Sequence, residues 1–305
     1  MTSTEFAANR DNFCYRHPDR QSFVLCQRCL RTICPECQTQ APVGVVCPEC
    51  MSEQRKAQTS AQRTAARRSP SLRALPMRDS RPLATYGVIG VTSVAYLLQL
   101  IPGVGDVILQ ALAFNSAFVT PAWGGPFEPW RLLTVMLTHS GFLHLALNMF
   151  ALLLIGRSLE PLLGHGRFLA LYALSVLGGS VAVALLAPGT WVVGASGGIF
   201  GLFGALLVIG RHIGANIRGI AIIIAINFAL PFILALVGSI ASGSLASALE
   251  AIRVSWQAHL GGLAAGAATA FIYARTRSRR AHALLLAAIA VALCLLLLIP
   301  PLVYT

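Results

Sequence analysis

Seven stretches between residues 84 and 303 stay apolar for close to the thickness of a bilayer core: 84–101, 141–158, 168–187, 191–210, 218–238, 256–274 and 283–303. A helix needs about 20 apolar residues to cross that core. Only 11% of the 305 residues are charged, against about 25% in soluble domains. This excludes an ordinary soluble enzyme, a disordered chain, a collagen-like repeat and a small disulfide scaffold. The expected fold class is an all-α polytopic membrane protein carrying a small N-terminal domain. The second stretch is the weakest, because His144 and Asn148 interrupt it.

The small domain announces itself by its cysteines. Seven of the eight lie between Cys14 and Cys50, and residues 1–82 hold 13 Lys/Arg against 7 Asp/Glu. The chain divides into a head (1–52), a basic juxtamembrane linker (53–82), a six-span core (83–275) and a basic loop with a seventh span (276–305). Residues 1–13 contain Glu5 and Asp11 and no apolar run, so neither a secretory signal nor a transit peptide is expected. A head that stays in a reducing cytosol uses clustered cysteines for metal or redox chemistry. The spacing Cys14-x2-His17, Cys26-x2-Cys29, Cys34-x2-Cys37, Cys47-x2-Cys50 supplies eight soft ligands, enough for two tetrahedral zinc ions. Pairing the first couple with the third and the second with the fourth is the favoured arrangement; sequential pairing is the alternative. Cys294, inside the seventh span, reads as a buried small hydrophobe.

Orientation follows from the arginines and lysines flanking the spans. The linker has eight basic residues against Glu53 and Asp79, and nucleic-acid binding is not expected from it because no aromatic residues interleave the charges. The long connection after the first span, with Trp123, Phe127 and Trp130, has Arg131 alone. Arg157 and Arg167 follow the second span, Arg211 and Arg218 the fourth, and Arg275, Arg277, Arg279 and Arg280 the sixth. Every second connection is basic. The N-terminus is expected in the cytoplasm and the C-terminus outside, in the cell (inner) membrane.

With that orientation three spans entering from outside carry polar residues at one depth. The second has His144 and Asn148 at i and i+4, on one helix face. The fourth opens with Gly194-Ala195-Ser196-Gly197-Gly198, and the sixth with Ala258-His259-Leu260-Gly261-Gly262. Glycines four apart, Gly197 with Gly201 and Gly262 with Gly266, let helix backbones approach closely. If those faces meet, Ser196 and His259 come within hydrogen-bond reach, and a serine becomes a nucleophile when an adjacent base takes its proton. Neither span holds Asp or Glu; Asp106, Glu128 and Glu250 are in loops. The arrangement is a Ser–His dyad, with His144, Asn148 and the amides of Ser196 and Gly197 as donors to an oxyanion.

These motifs resemble the rhomboid family of intramembrane serine proteases over residues 83–275. The resemblance rests on Trp130-Arg131, His139, His144-x3-Asn148, Glu160-x3-Gly164 after the second span, Gly194-x-Ser196-Gly197 and Ala258-His259-x2-Gly262. It implies a rhomboid-like six-helix core, Ser196 as nucleophile and His259 as general base. It also implies His144, Asn148 and the Ser196 amide as the oxyanion hole, with Phe200 where the family often has an aromatic packed on the histidine. Trp130, Arg131, His139, Glu160, Gly201 and Gly262 are structural. Arg131 and Glu160 are expected on opposite faces, as separate brackets. The loop 239–255 resembles the family's cap, and Pro231 would kink the fifth span, its proposed gate. Implied substrates are single-span transmembrane proteins in the lipid bilayer, and catalysis needs no cofactor. The head resembles a B-box-like zinc finger, with a cytoplasmic protein as a possible partner. Two other readings stay open: a catalytically silent rhomboid-like client binder or scaffold, and a transporter with a zinc sensor.

Overall fold

The computed structural model describes residues 10–40, 44–57, 81–120, 125–242, 244, 255–276 and 278–304. The chain forms two compact units, Met1–Arg68 and Ser69–Thr305. Glu250, Arg277, Trp123, most of the 239–255 connection and the linker from 58 to 80 lie outside the described residues.

In the head, β1 (Phe13–Cys14) pairs antiparallel with β2 (His17–Gln21), and β3 (Thr39–Gln40) pairs with β4 (Val45–Val46), before helix α1 (Pro48–Ala57). Its buried interior is Ile33 and Val46 among Cys14, Cys26, Cys34, Cys37, Cys47 and Cys50. Ordering each residue costs about 1.5 kcal/mol, and two aliphatic side chains cannot offset that over such a domain. The thiols must contribute more than packing.

The body is helical: α2 (Leu83–Gln99), α3 (Val104–Leu112), α4 (Arg131–Thr134), α5 (Phe142–Leu163), α6 (His165–Leu186), α7 (Ser196–Ile213), α8 (Arg218–Ser242), α9 (Trp256–Arg275), α10 (Arg279–Leu296) and α11 (Pro300–Val303). A helix occupies each of the seven apolar stretches. By length and composition α5, α6, α7 and the segment Arg279–Val303 suffice to cross a membrane; α2 is shorter, and α9 dilutes its apolarity with glycine and alanine. This is a multi-pass membrane protein. Leu147, Phe150 and Leu154 of α5 point outward while Leu152 and Leu159 are buried. Apolar side chains on both faces suit a hydrocarbon solvent, in which small residues and polar contacts distinguish the interior.

The most extensive helix contact in the body joins α7 to α9, followed by α6 to α9. A Cβ on Gly262 would run into the backbone of Gly197, and one on Gly266 into that of Gly201. Only glycine permits this approach.

Several element boundaries differ from the sequence reading, the seventh apolar stretch beginning its helix at Arg279 and the third at His165, and two of the differences touch candidate site residues. Glu160 lies within α5, not after it, because the helix runs past the loss of apolarity at Arg157 and Ser158 and stops where Gly164 turns to φ 81°. There the buried Glu160 carboxylate accepts the N–H groups of Ala84 and Thr85, both at 2.8 Å, and the Thr85 hydroxyl at 2.5 Å; His165 Nδ1 lies 2.5 Å from its other oxygen. Pro82, before α2, offers no side-chain cap, so α5 supplies a carboxylate to the orphan donors at the α2 N-terminus. The fourth span begins at Ser196 rather than near 191, because Val192 forms a bridge to Phe114 that holds the chain extended. Cys294 is exposed, a small side chain on the outer face of α10 rather than a buried one. The α8 helix continues through Pro231 as one element.

Glu160→Ala strands buried N–H donors and should cost about 1–3 kcal/mol, read as a lower melting temperature in detergent. Gly262→Val, forcing α7 and α9 apart, should cost at least as much, since overpacking typically costs about 1–3 kcal/mol.

Candidate active site and metal centres

Glycine spacing on α7 and α9 determines which side chains meet. Where the two helices touch, Ser196 Oγ stands 2.9 Å from His259 Nε2. Ser196 is the first residue of α7, so its hydroxyl sits beside backbone N–H groups that have no intrahelical acceptor. His259 is buried, and its Nδ1 has no partner among the described residues. Its ring is fixed by packing: Phe200, one turn along α7, stacks on it at 4.0 Å and 9°.

Gly194 brings a third group to the same place. Its φ of 121° lets the chain turn from the extended segment into α7, and its N–H donates to the Val135 carbonyl at 3.0 Å. A Cβ on Gly194 would lie 2.9 Å from His144 Nε2, so the imidazole occupies the space a side chain would need. The Ser140 hydroxyl (3.0 Å) and the Ser140 N–H (3.5 Å) face His144 Nδ1. A backbone N–H can only donate, so Nδ1 accepts and Nε2 carries the proton toward the serine loop. Asn148 Nδ2 donates to the His144 carbonyl at 2.8 Å, which commits one amide hydrogen to its own helix and leaves the second. Beside Ser196, Gly197 and Gly198 a small cavity is walled by Phe114, Val135, Val176, Val192 and Ala258.

The long first connection supports this arrangement from outside the helices. Asn115 Nδ2 donates to the Gly189 carbonyl at 2.7 Å, and the Gly189 N–H donates to Ser116 Oγ at 2.8 Å. Buried Arg131 donates from Nε to Glu128 Oε2 at 2.5 Å and from a terminal nitrogen to the Ala113 carbonyl at 2.7 Å, under the Phe118 ring. Trp130 Nε1 donates to the Ala111 carbonyl. Gln99 clamps the backbone of His139 on both sides, and the His139 ring meets His144 edge-on at 5.0 Å. Arg131 and Glu160 thus bind separate parts of the body. The partners Glu128, Thr85, His165 and Gln99 were missed in the sequence; only Glu128, three residues before Arg131, carried a spacing signal. Phe228 of α8 was also missed, being one more apolar residue in an apolar run.

The head gathers its ligands in two sets, Cys14, His17, Cys34 and Cys37, and Cys26, Cys29, Cys47 and Cys50, with the ligand atoms of each set within 4.8 Å of one another. Three sulfurs with one nitrogen, and four sulfurs, suit tetrahedral soft-metal coordination. The Cys47 N–H points at Cys26 Sγ and the Cys50 N–H at Cys47 Sγ, and Arg31 Nε donates to Cys29 Sγ while its terminal nitrogen reaches Glu49. Burial acts to raise Cys14 and Cys26, but backbone N–H donors outweigh it and bring both thiols down to about 6. Burial and crowding push Cys37 up to about 11 and Cys50 up to about 12. Four thiols in one pocket cannot all ionise unless a cation shares their charge, and the clusters fit a zinc finger-like head.

Residues 126–276 match the family model described as Rhomboid domain. The chain is 35% identical over 167 residues to rhomboid protease GluP of Bacillus subtilis (strain 168), covering 51% of this chain and 31% of that protein. It is 50% identical over 82 residues to RHOMBOID-like protein 5 of Arabidopsis thaliana, 26% of each chain. To RHOMBOID-like protein 1 of the same plant it is 36% identical over 146 residues, 48% of this chain and 35% of that one. The chain spans about a third or less of the length of these relatives. Residues 126–276 thus carry a rhomboid domain.

Thiols held below their usual range favour the folded head above that range, and this contribution is lost as protons reclaim them. Protons compete with a metal for the thiolates, so lowering the pH from 7.5 to 5 should release bound metal. A chromophoric zinc indicator and circular dichroism of the head read the loss. Chelation at pH 7.5 should unfold residues 14–50 to the same extent.

Proposed function

We propose that this protein is a serine endopeptidase that cleaves transmembrane segments of single-span membrane proteins. The observation that carries the reading is the 2.9 Å approach of Ser196 Oγ to His259 Nε2 inside a membrane bundle. In this mechanism the Ser196 oxygen attacks the scissile carbonyl carbon as its proton passes to His259 Nε2. Negative charge gathers on the former carbonyl oxygen, where the His144 Nε2–H and the Ser196 and Gly197 amides donate to it, joined by the second Asn148 amide hydrogen. The imidazolium returns its proton to the departing amine, leaving an acyl-serine. Water, deprotonated by the same imidazole, then attacks the ester, and the imidazolium returns that proton to the Ser196 oxygen as the acid departs.

A dyad without a carboxylate must orient and stabilise its base by other means. Phe200 lies flat under the His259 ring, and an aromatic face attracts a cation above it. The substrate also has to unwind locally, because a helical peptide carbonyl is tied up in its own hydrogen bond. Small or helix-breaking residues near the outer membrane face suit that requirement, and the cavity beside Ser196 suits a small apolar side chain. The arginine pattern supports a cytoplasmic N-terminus and a site opening toward the outside of the cell membrane. In the head, Cys14, His17, Cys34 and Cys37 would hold one structural zinc ion and Cys26, Cys29, Cys47 and Cys50 a second; catalysis uses neither.

A fluorophosphonate probe should form a covalent adduct with the full chain in lipid. Ser196→Ala should abolish it and lower cleavage of membrane substrates by roughly 10⁴-fold or more, with the melting temperature unchanged. Comparing membrane proteomes of cells carrying the parent and Ser196→Ala should reveal released ectodomains with the parent only. Folded parent protein that forms no Ser196-dependent adduct would favour a client binder.

A further inference from the structure

The fifth span is joined to the body differently from its neighbours. Most of α8 faces outward: Ile222, Ile226, Ile233, Leu236, Val237 and Ile240 are all exposed. Its inward stripe among the described side chains runs through Ile220, Ile224, Phe228 and Ala235, at the i, i+4, i+8, i+15 spacing of one helix face. Within that stripe Phe228 makes the aromatic contacts. Its ring stands edge-on to Phe200 at 5.2 Å and 80°, and edge-on to His259 at 6.1 Å and 87°. One turn later Phe232 meets Trp256 of α9 at 6.4 Å.

The His259 imidazole therefore has three constraints among the described residues: the Ser196 hydroxyl at Nε2, the Phe200 face beneath the ring and the Phe228 edge across it. Stacking on Phe200 alone leaves the imidazole free to slide and rotate in its own plane, because a flat face opposes neither movement. An edge at nearly a right angle opposes both. Since Nδ1 has no hydrogen-bond partner among the described residues, that packing supplies the orientation of the ring, one of the tasks a carboxylate performs for the base of a triad.

We propose that Phe228 is a positioning residue for the catalytic base, the second wall of an aromatic clamp whose first wall is Phe200. The proposal rests on the dyad reading and adds a residue from a span that holds no part of the dyad. The second wall stands on α8, so the alignment of the base depends on the direct contact of the Phe228 ring with His259 and Phe200.

The test uses the full chain in lipid nanodiscs and a fluorophosphonate probe, with the maximal labelling rate of Ser196 (kinact) separated from probe affinity (KI). Aromatic pairs contribute enough that losing one should slow kinact by roughly three- to tenfold. Phe228→Leu, which keeps bulk and removes the ring, should show that loss with KI changed less than twofold. Phe228→Tyr should restore kinact to within twofold of the parent. Phe232→Leu weakens the seating of α8 without touching His259 and should label at the parent rate. The proposal is overturned if Phe228→Leu labels like the parent, if Phe228→Tyr is as slow as Phe228→Leu, or if Phe232→Leu slows labelling as much as Phe228→Leu. If Phe228→Leu does not fold, Phe228→Met is measured in its place under the same criteria. A folded parent without any Ser196-dependent adduct would remove the dyad reading as well, whereas a reactive parent with unaffected Phe228 variants removes only the clamp.

Discussion

Backbone-to-backbone contact between α7 and α9 is the constraint on which the membrane body depends. In hydrocarbon no hydrophobic force pulls two apolar helices together, so close packing and polar contacts must do it. Gly262 and Gly266 of α9 lie against the backbones of Gly197 and Gly201 with no room for a methyl group on either. That proximity brings a short side chain, serine, within hydrogen-bond distance of an imidazole on the neighbouring helix. The His259 Nδ1 has no hydrogen-bond partner among the described residues. The ring is then oriented by aromatic residues placed one turn away or on another helix.

Polar groups elsewhere in the body obey the same solvent. An unsatisfied carbonyl or N–H in hydrocarbon costs several kcal/mol, and the buried Glu160 and Arg131 each satisfy several partners. Glu160 serves two backbone N–H groups, a hydroxyl and His165. Arg131 is held by Glu128 and the Ala113 carbonyl under an aromatic ring. Each sits where the helical ladder is interrupted, one at the start of α2 and one in the long first connection. The head works by another rule: its interior is too small for burial to stabilise it, and its thiols form two four-ligand clusters.

Much of this was legible in the sequence because it rests on spacing. Runs of apolar residues located the seven helices, couples of ligands two residues apart located the head, and glycines four apart showed which helix faces would meet and so which hydroxyl and imidazole. What could not be read depends on contacts between distant residues. The beginning of α7 is set by a bridge from Phe114 to Val192, invisible to a hydropathy window that reads Trp191-Val192-Val193 as more span. The end of α5 was hidden for the converse reason: polarity at Arg157 and Ser158 looked like a boundary, although a helix can carry polar residues to a buried acceptor site. Phe228 is indistinguishable by composition from the isoleucines around it, and only the orientation of α8 tells them apart.

The carboxylate shared between α5 and α2 has a bearing on biosynthesis. The N–H of Ala84 and the Glu160 side chain that receives it are 76 positions apart. At translation speeds of about 5–20 residues per second, the ribosome needs on the order of ten seconds to make the intervening chain. During that interval the leading helix enters the bilayer with its first turn unfinished, while the cysteine-rich domain ahead of it is already synthesised and able to take up metal. α2 is thus completed only when α5 arrives, which makes pairwise insertion of the two the natural assembly step.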